Sequence, residues 1–577
     1  MMKQFALKGL SAAILASVSL TATADIFEIE ELPTAENYRN SFPKAINESG
    51  FVVGISRFPT NVDIDLSQVS PTILANAGIT DIEEVDELTP EQYEFILNNV
   101  AINANNNVQQ IQIGLNTAFL YDGLTQSVPL LGDTPVITAD SFLYSINNAN
   151  SAVGVTTGPF YPTEYTYTNS DDEEVTQTFY VRDYITRGVW HRDGTTTMVE
   201  PAETAVLGGE SAIMDVNDSG LAAGYASTAL SPFAQERIDA CSSDDPDAIV
   251  TRPDEVCVYG VWLELYNQRA SNIAPSFFSR SDYAARRSIY DIRGHLWQLD
   301  SNGEVISTTE LGTLQQRNEE DDRDFSSYAF AVNNNGIAAG QSWTYHPQRG
   351  AVRMPAIFQN ADAIPVTENE DFFWGAATDI NDNNQAVGYL VESRAGNLRN
   401  TAFIYDVDAA SDEQPLTLLP GFFSGSSTVP NAINENGIVV GTGEIEATLS
   451  SVRRRVGFWY DTTAETPEFI NLNDAVSCDS PYFIVEANDV TESGEVLATA
   501  LKTQEYVDSN GDTQTREVAV AIKMNPIDGD VNSCREEENR VERSGAAFGS
   551  GGLAGLALLG SLITFVRRNR RQNIKKS

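Results

Sequence analysis

Four arginines supply the first candidates for ligand chemistry in this chain. The 577 residues include 36 Lys+Arg against 81 Asp+Glu, a formal charge of −45. Against that acidic background, Arg280, Arg286 and Arg287 fall in the aromatic stretch SFFSRSDYAARRSIYDI, which predicts a helix, and Arg293 follows it directly. A guanidinium binds carboxylate and phosphate groups through paired N–H donors. Two interpretations are open: the arginines contact an anion such as an acidic glycan, or they pair with the chain's own acidic surface.

Trp262 and Trp343 are candidate binding residues of a second kind, because an indole ring packs on apolar ligand faces and on cations. Trp190, Trp297 and Trp459 share one repeating position in the sequence, which indicates packing within a repeated strand. The first two fall outside that position, so they are predicted to line a binding face.

Patterns of known catalytic or cofactor sites are not found. The sequence has no G-x-S-x-G, P-loop or dinucleotide fingerprint in a strand–helix context. His191, His295 and His346 lie too far apart to predict a metal centre. The acidic runs at Asp171 and Asp508 carry oxygen ligands for Ca²⁺ but fit hairpin tips better. We therefore expect no catalytic residue, metal or cofactor, with a structural calcium as an open alternative, and the acidity argues against nucleic acid.

The four cysteines indicate an oxidising compartment. Cys241 and Cys257 enclose a short acidic loop, and Cys478 and Cys534 lie farther along the chain. Four cysteines allow three pairings. We expect Cys241–Cys257 and Cys478–Cys534, as in exported proteins.

A ten-residue repeat organises the body of the chain. An apolar residue, Asn, two further residues and Gly are followed by a short apolar strand that ends in Gly; the seven copies begin at Ala45, Ser145, Asp215, Ala331, Asp379, Ala432 and Asp489. N-x-x-G predicts a tight hairpin turn, in which the Asn side chain caps the turn and Gly adopts a positive φ. The residues that hold the two key positions are Asn47, Asn147, Asn217, Asn333, Asn381 and Asn434, with Gly50, Gly220, Gly336, Gly437 and Gly494.

A second element follows each copy after a variable gap. It is an aromatic–apolar strand such as TAFLYDG or TAFIYD, and in most copies a turn and a short fourth strand come next. Four short antiparallel strands in each of seven units predict an all-β, seven-bladed β-propeller over residues 25–527. The last unit lacks a fourth strand, and IFEIEEL (Ile26–Leu32) precedes the first repeat. We therefore expect the N-terminal strand to complete the last blade; an open β-solenoid, the main alternative, gives no reason for such complementary ends.

Three long inserts share one topological position. They cover about residues 57–116, 157–187 and 227–293, between the second and third strands of the first three units. The segment LTPEQYEFILNNVAINAN predicts a helix in the first insert. Insertions on one face of a repeat fold are typical of a binding face.

Both ends of the chain are predicted to be targeting signals. A basic start, an apolar stretch and Ala22-Thr23-Ala24 indicate a signal peptide over residues 1–24, with an N-terminal anchor as the alternative. After an acidic and Gly/Ser linker at 528–545, residues 546–566 are uncharged and long enough to span a bilayer. The basic tail at 567–577 would stay in the cytoplasm, with the body outside.

Two resemblances extend these expectations. The strands AFLYDG with SVPLLG, and HLWQLD with TELGTL, are similar to the HAF-type extracellular repeat. The tail, with Gly551 and Gly552 before an apolar helix and basic cluster, resembles the GlyGly-CTERM sorting signal. That resemblance implies Gram-negative bacteria, cleavage near the glycines by a rhombosortase-like protease, and secretion; an uncut single-pass anchor is the alternative. The whole layout is similar to a bacterial family of unknown function, which implies no catalytic residue.

These observations favour an exported protein that binds an extracellular ligand or protein through its insert-bearing face. Its expected partners during export are signal peptidase and the rhombosortase-like protease, with membrane contact through the C-terminal helix. The second hypothesis is a secreted hydrolase or lyase acting on glycan or peptide, which requires carboxylates that converge in a central pocket with perturbed pKa values. The third is a structural envelope protein that keeps its helix.

Overall fold

A computed structural model describes residues 26–60, 62–104, 108–110, 112–132, 137–242, 250–267, 288–394, 396–410, 414–448, 453–508, 511–529 and 531. The described residues belong to one compact unit, and residues 1–25 and 532–577 lie outside the described part.

The described chain is mostly strands. In order they are β1 (Phe27–Glu31), β2 (Tyr38–Ile46), β3 (Val52–Pro59), β4 (Asn116–Tyr121), β5 (Thr125–Ser127), β6 (Ser141–Ile146), β7 (Ala152–Thr157), β8 (Tyr161–Thr168), β9 (Glu174–Val181), β10 (Thr186–Arg192), β11 (Thr195–Val199), β12 (Ser211–Val216), β13 (Leu221–Leu230), β14 (Tyr290–Leu299) and β15 (Val305–Glu310). They continue as β16 (Ser327–Val332), β17 (Ala338–His346), β18 (Gly350–Gln359), β19 (Asp362–Pro365), β20 (Phe372–Ile380), β21 (Gln385–Arg394), β22 (Asn397–Asp406), β23 (Leu416–Leu418), β24 (Thr428–Ile433), β25 (Ile438–Glu444), β26 (Arg455–Asp461), β27 (Ile470–Asn471), β28 (Phe483–Val490), β29 (Val496–Val507) and β30 (Thr513–Pro526). The helices are α1 (Pro71–Asn76), α2 (Pro90–Ala104), α3 (Pro232–Asp239) and α4 (Asp254–Asn267), with 3₁₀ turns at Leu66–Gln68 and Ile82–Glu84.

Seven four-stranded antiparallel sheets form the blades of a propeller. Blades 1 to 6 begin with β2, β6, β12, β16, β20 and β24, and blade 7 joins β28, β29, β30 and β1. The first strand of each blade contacts the first strand of the next all the way round, so the ring is closed. The predicted seven-bladed fold is confirmed.

The two ends of the propeller share blade 7, as the sequence predicts. Strand β1 pairs with β30 in antiparallel register, from Phe27 opposite Pro526 to Glu31 opposite Ile522. This pairing removes the free edge that β30 would otherwise expose.

The apolar runs in the repeats reflect burial on both faces of a blade. Val439 packs into the core between blades 5 and 6, whereas its neighbour Val440 packs into the core between blades 6 and 7. Strands buried on both faces have continuous rather than alternating apolar residues. Each blade is therefore held by its two neighbours.

The N-x-x-G turns have the predicted geometry. In blade 4, the Asn333 Oδ1 atom accepts the backbone N–H groups of Asn335 at 3.1 Å and Ile337 at 3.0 Å. Gly336 has a φ of 78°, the left-handed conformation that glycine adopts at least cost. The turns between first and second strands define the turn face of the ring, and the connections between second and third strands define its loop face.

The same Asn side chains also tie neighbouring blades together. In six of the seven junctions, the Asn Nδ2 atom donates to the backbone carbonyl of the equivalent residue in the next blade at 2.9–3.0 Å. The donor–acceptor pairs are Asn47–Asn147, Asn147–Asn217, Asn217–Asn333, Asn333–Asn381, Asn381–Asn434 and Asn434–Thr491. One amide thus closes its own turn and bonds the next.

A second belt of hydrogen bonds runs through the residue after each turn Asn. The backbone N–H of this residue donates to the side chain of its counterpart in the next blade, at 2.6–3.2 Å. The belt passes in turn through Glu48, Asn148, Asp218, Asn334, Asp382, Glu435 and Glu492 and returns to Glu48. It closes across the junction between blades 7 and 1, where the Asn belt has its gap.

The glycine that ends each repeat is required by close backbone contact. All seven blades have a register shift in the pairing of their first two strands just before the turn. There a Cβ atom at Gly154 or Gly340 would lie 1.9 Å from the carbonyl oxygen of Phe142 or Tyr328. Ala498 takes this position in blade 7, which has an additional register shift between Ile484 and Glu486.

One helix prediction is wrong at its C-terminal end. The stretch SFFSRSDYAARRSIYDI predicts a helix, but Tyr290 to Ile292 begin strand β14, where the β-branched and aromatic residues pair with β13. Residues 276–287 of that stretch lie outside the described residues. Helix α2 matches its prediction, whereas α3 and α4 were not anticipated.

The predicted disulfide between Cys241 and Cys257 is present. Cys478 is also disulfide-bonded, while Cys534 lies outside the described residues. A disulfide fits an oxidising environment. Within the described residues, no helix combines the length and apolar character needed to cross a bilayer. The predicted segments 1–24 and 546–566, with Ala22, Ala24, Gly551 and Gly552, lie outside the described residues.

The gap in the Asn belt yields a stability prediction. Thr491 has no amide to donate to Asn47, and its hydroxyl instead contacts Ser493 Oγ and accepts the N–H of Glu495. The variant Thr491→Asn supplies the missing donor while keeping an acceptor for Glu495. We expect its free energy of unfolding in urea to rise by about 1 kcal/mol.

The control is Thr491→Val, which has a similar shape but no hydroxyl group. It should lower the free energy of unfolding, because the N–H of Glu495 loses its acceptor. A Thr491→Asn variant no more stable than the parent would contradict the role given to the belt.

Candidate functional site

Three inserts form one cap on the loop face. Residues 60–115, 158–185 and 231–289 leave blades 1, 2 and 3 between their second and third strands. Their position agrees with the sequence prediction. The third insert is shorter than expected because β13 continues to Leu230 and β14 starts at Tyr290.

The first two inserts pack together around the hairpin β8–β9. Tyr180, on β9, is buried in the same apolar cluster as Ile73, Ile96 and Leu97 of helices α1 and α2. Its backbone N–H donates to the carbonyl of Val108 at 2.8 Å, and its hydroxyl donates to the side chain of Gln68. The hairpin therefore serves as a wall of the first insert's core.

Arg182 joins the second insert to the third. Its guanidinium lies 4.7 Å from the ring of Phe160, 5.4 Å from Tyr259 and 5.0 Å from Trp262, and only 6% of the residue is exposed. An arginine surrounded by aromatic faces is stabilised by cation–π attraction. Burial raises the pKa of the Tyr259 hydroxyl, and the nearby Arg182 charge opposes that rise.

Trp262 fixes helix α4 on the propeller. Its Nε1 donates to Oε1 of the buried Glu210 at 2.9 Å, and its ring is 4% exposed. It packs in the same cluster as Tyr144 of blade 2 and Tyr328 of blade 4. The exposed stacking role predicted for Trp262 is therefore not what the structure supports: the indole anchors the cap.

Trp343 is also in the interior. It is 7% exposed on β17, with the Arg353 guanidinium 4.4 Å from its ring and Phe325 stacked at 6.4 Å. The indole has no open face for a ligand, so its predicted binding role is not supported either. The positions of the tryptophans within the repeats could not reveal that Trp343 is buried, because β17 is longer than the strand that the repeat alone indicates.

The predicted arginine group is only partly within the described residues. Arg293 donates to the carbonyls of Phe325 at 2.6 Å and Ile292 at 3.1 Å, and its Nε is 3.9 Å from Glu310. These contacts fit the pairing interpretation for this arginine. Arg280, Arg286 and Arg287 lie outside the described residues.

The exposed surface of the cap is acidic over the part that the structure describes. Its exposed carboxylates include Asp81, Glu83, Glu84, Asp86, Glu87 and Glu91 in the first insert, Asp171 to Glu174 at the hairpin tip, and Asp254 and Glu255 at the start of α4. Tyr161, 39% exposed, donates to Asp183 at 2.9 Å; partial burial, and then this carboxylate, raise its pKa to about 12. The hydroxyl stays neutral at physiological pH, so the surface presents carboxylates with neutral aromatic groups.

Three aspartates near the axis of the ring were not predicted as a functional group from the sequence. Asp215, Asp379 and Asp489 are the first residues of three repeat copies, in blades 3, 5 and 7. The alternation of Asp with small residues at that position was the available signal. No group of three or more metal-ligating side chains occurs among the described residues. The runs at Asp171 and Asp508 are hairpin tips, as favoured from sequence.

These features define a class: a seven-bladed β-propeller, closed by its own termini, with a disulfide-bonded cap over three blades. Residues 4–568 match the family model described as "Protein of unknown function (DUF3466)". The chain belongs to this family, as the sequence layout predicted. No curated protein matches the chain.

Among solved structures, the chain is similar to the β-propeller domain of the Trilobed protease from Pyrococcus furiosus, described as having an open velcro topology. The identity is 11% and the TM-score 0.24, over 65% of this chain and 92% of that one. A likeness of this degree carries no argument about function.

The disulfide of the cap gives a second prediction. Cys241 follows α3 and Cys257 lies in α4, with 16 residues between them in sequence. The double variant Cys241→Ser/Cys257→Ser should reduce the stability of the cap by about 3 kcal/mol, because the loop is no longer closed in the unfolded chain. We expect calorimetry to show an earlier transition for the cap and a later one for the ring.

Limited proteolysis is the matched measurement, since cleavage should appear first between 240 and 260. The variant Thr251→Ala, an exposed residue in the same loop, is the control and should melt as the parent does. A double variant with an unchanged melting profile would contradict a stabilising role for this bond in the cap.

Proposed function

We propose that the protein is an exported, non-enzymatic binding protein whose cap engages a positively charged extracellular partner. The observation that carries this proposal is the assembly of three separate inserts into one packed, acidic surface. A propeller ring needs none of these inserts to close, since blades 4 to 6 have short connections at the same position.

The construction of the cap supports a binding role. Its core contains Ile73, Ile96, Leu97 and Tyr180 from two inserts, and Arg182 and Trp262 connect it to the third. A surface held by its own core changes little on binding and loses little entropy. A rigid acidic surface attracts cationic partners and repels anionic ones.

Export is proposed on the features of the two ends. The signal-peptide pattern before Asp25, the HAF-type repeats and the GlyGly-CTERM resemblance at Gly551 and Gly552 all belong to proteins that leave the cytoplasm. The disulfide between Cys241 and Cys257 supports the same location. A rhombosortase-like protease would release the body from its C-terminal helix.

The hydrolase hypothesis has one observation in its favour. Carboxylates do converge near the axis, and the pKa of Asp379 is raised to about 7 by burial and then by the charges of Asp215 and Asp489. Each of the three, however, accepts a backbone N–H from the next blade. We therefore rank binding first and catalysis second.

A charge-matched pair of variants tests the cap as the binding surface. The cap variant combines Glu83→Gln, Glu84→Gln, Asp86→Asn and Glu87→Gln, four exposed residues of the first insert. The control combines Asp122→Asn, Glu304→Gln, Asp362→Asn and Glu465→Gln, which are exposed in or directly after the connections between third and fourth strands of blades 1, 3, 4 and 6. Both variants change the net charge equally.

The probe is immobilised poly-L-lysine at physiological salt, where attraction beyond about 8 Å is screened. The cap variant should bind about fivefold more weakly, whereas the control should stay within about twofold of the parent. Equal losses in both variants would mean that net charge alone attracts the probe, and the proposal would be abandoned.

A further inference from the structure

Three aspartates occupy one structural position in alternate blades. Asp215, Asp379 and Asp489 lie two residues before the turn residue on the innermost strands of blades 3, 5 and 7. The other four blades have small residues there, namely Ala45, Ser145, Ala331 and Ala432. The four small residues leave space near the axis for the three carboxylate side chains at this position of the repeat.

Each carboxylate joins its own blade to the next one. An Oδ2 atom accepts the N–H of the residue before the next turn: Asp215 from Val332 at 2.9 Å, Asp379 from Ile433 at 2.8 Å and Asp489 from Ile46 at 2.9 Å. The last of these bonds crosses the junction between blades 7 and 1. Three of the seven blade junctions therefore depend on a carboxylate at the axis.

Two of the carboxylates act electrostatically on the third. Burial is the main cause that raises the pKa of Asp379 to about 7, and the charges of Asp215 and Asp489 raise it further. The N–H groups of Ile433 and Ile380 act in the opposite direction. All three residues hold the same position on innermost strands, and these strands contact one another all the way round the ring, so the three carboxylates lie at one level near the axis.

Other ionisable groups surround this level of the ring. The remaining ones on the innermost strands are Tyr38, Arg39 and Lys44 on β2, Tyr144 on β6, Tyr328 on β16 and Glu486 on β28. The turn face adds Glu48, Asp218, Asp382, Glu435 and Glu492. Lys44 is the cation nearest in sequence to this level, one residue before Ala45.

We propose that Asp215, Asp379 and Asp489 form a proton-linked clasp, in which one proton held by the group lets three inter-blade bonds form without three like charges at one level of the ring. Loss of that proton places three like charges near the axis and weakens the three junctions together. The inference concerns the ring alone and is independent of the proposed binding function.

The direction of the pH dependence follows from linkage. The folded chain keeps a proton on Asp379 up to about pH 7, whereas an ordinary carboxyl with a pKa of 3.8 has lost it. The folded state thus binds more protons than the unfolded state between these values. This group's contribution therefore makes the protein less stable as pH rises through that window, and the decrease ends above the folded pKa.

The first test compares the parent with Asp379→Asn between pH 5 and pH 8. Asparagine keeps an oxygen for the N–H of Ile433 but carries no charge. The melting temperature of the variant minus that of the parent should increase by about 3 °C over this range. Asp362→Asn, an exposed residue on β19, is the matched control, and its difference from the parent should not change with pH.

The second test uses Asp215→Asn, which removes a like charge and leaves Asp379 in place. The pH-dependent decrease in melting temperature should then have its midpoint about one pH unit lower, because Asp379 no longer has that negative charge nearby. This variant also decides the question if Asp379→Asn fails to fold.

Three results would overturn the proposal. The first is a constant difference in melting temperature between Asp379→Asn and the parent at all pH values. The second is an unmoved midpoint in Asp215→Asn. The third is stabilisation of the parent, but not of Asp379→Asn, by millimolar CaCl₂ at pH 8, which would make the group a cation site.

Discussion

The structure depends on hydrogen bonds whose donor lies in one blade and whose acceptor lies in the next. Apolar side chains pack between the blades of a propeller, but such packing alone has no fixed direction. On the turn face, a single Asn amide both closes its own turn and donates to the neighbouring blade. The belt through the following residue repeats the link at every junction. Buried or half-buried polar groups are costly when unpaired, so these bonds fix the relative position of blades more strictly than apolar contact does.

This arrangement leaves the loop face free to vary. Because the turn face and the shared blade 7 hold the ring, long inserts in blades 1 to 3 do not disturb closure. The inserts pack on the propeller, where Trp262 donates a hydrogen bond to Glu210. Arg182 is enclosed by aromatic rings from two inserts. The acidic exterior of the cap follows the composition of the whole chain, and the disulfide between Cys241 and Cys257 secures its third segment. Ring and cap thus have separate sources of stability.

The sequence predicted the ring better than the site, for physical reasons. Repeats such as those at Ala331 and Ala432 encode local turn chemistry, so strand order, closure by Ile26–Leu32 and the insert positions could all be read from it. The roles of Trp262 and Trp343 could not, because burial depends on which insert covers which blade. The clasp residues Asp215, Asp379 and Asp489 follow a visible pattern in the repeats. Only the closed ring shows that they lie at one level near the axis. Arg280, Arg286 and Arg287 stay predictions.

The most direct test of this account is amide hydrogen exchange at single residues of the turn face. Glu48, Asn148, Asp218, Asn334, Asp382, Glu435 and Glu492 lie in short surface turns, whose N–H groups ordinarily exchange fast. The account predicts strong protection at all seven, including Glu492 at the junction between blades 7 and 1, because each N–H is bonded to the next blade. Fast exchange throughout would contradict the belt, and fast exchange at Glu492 and Ile46 alone would contradict a closed ring.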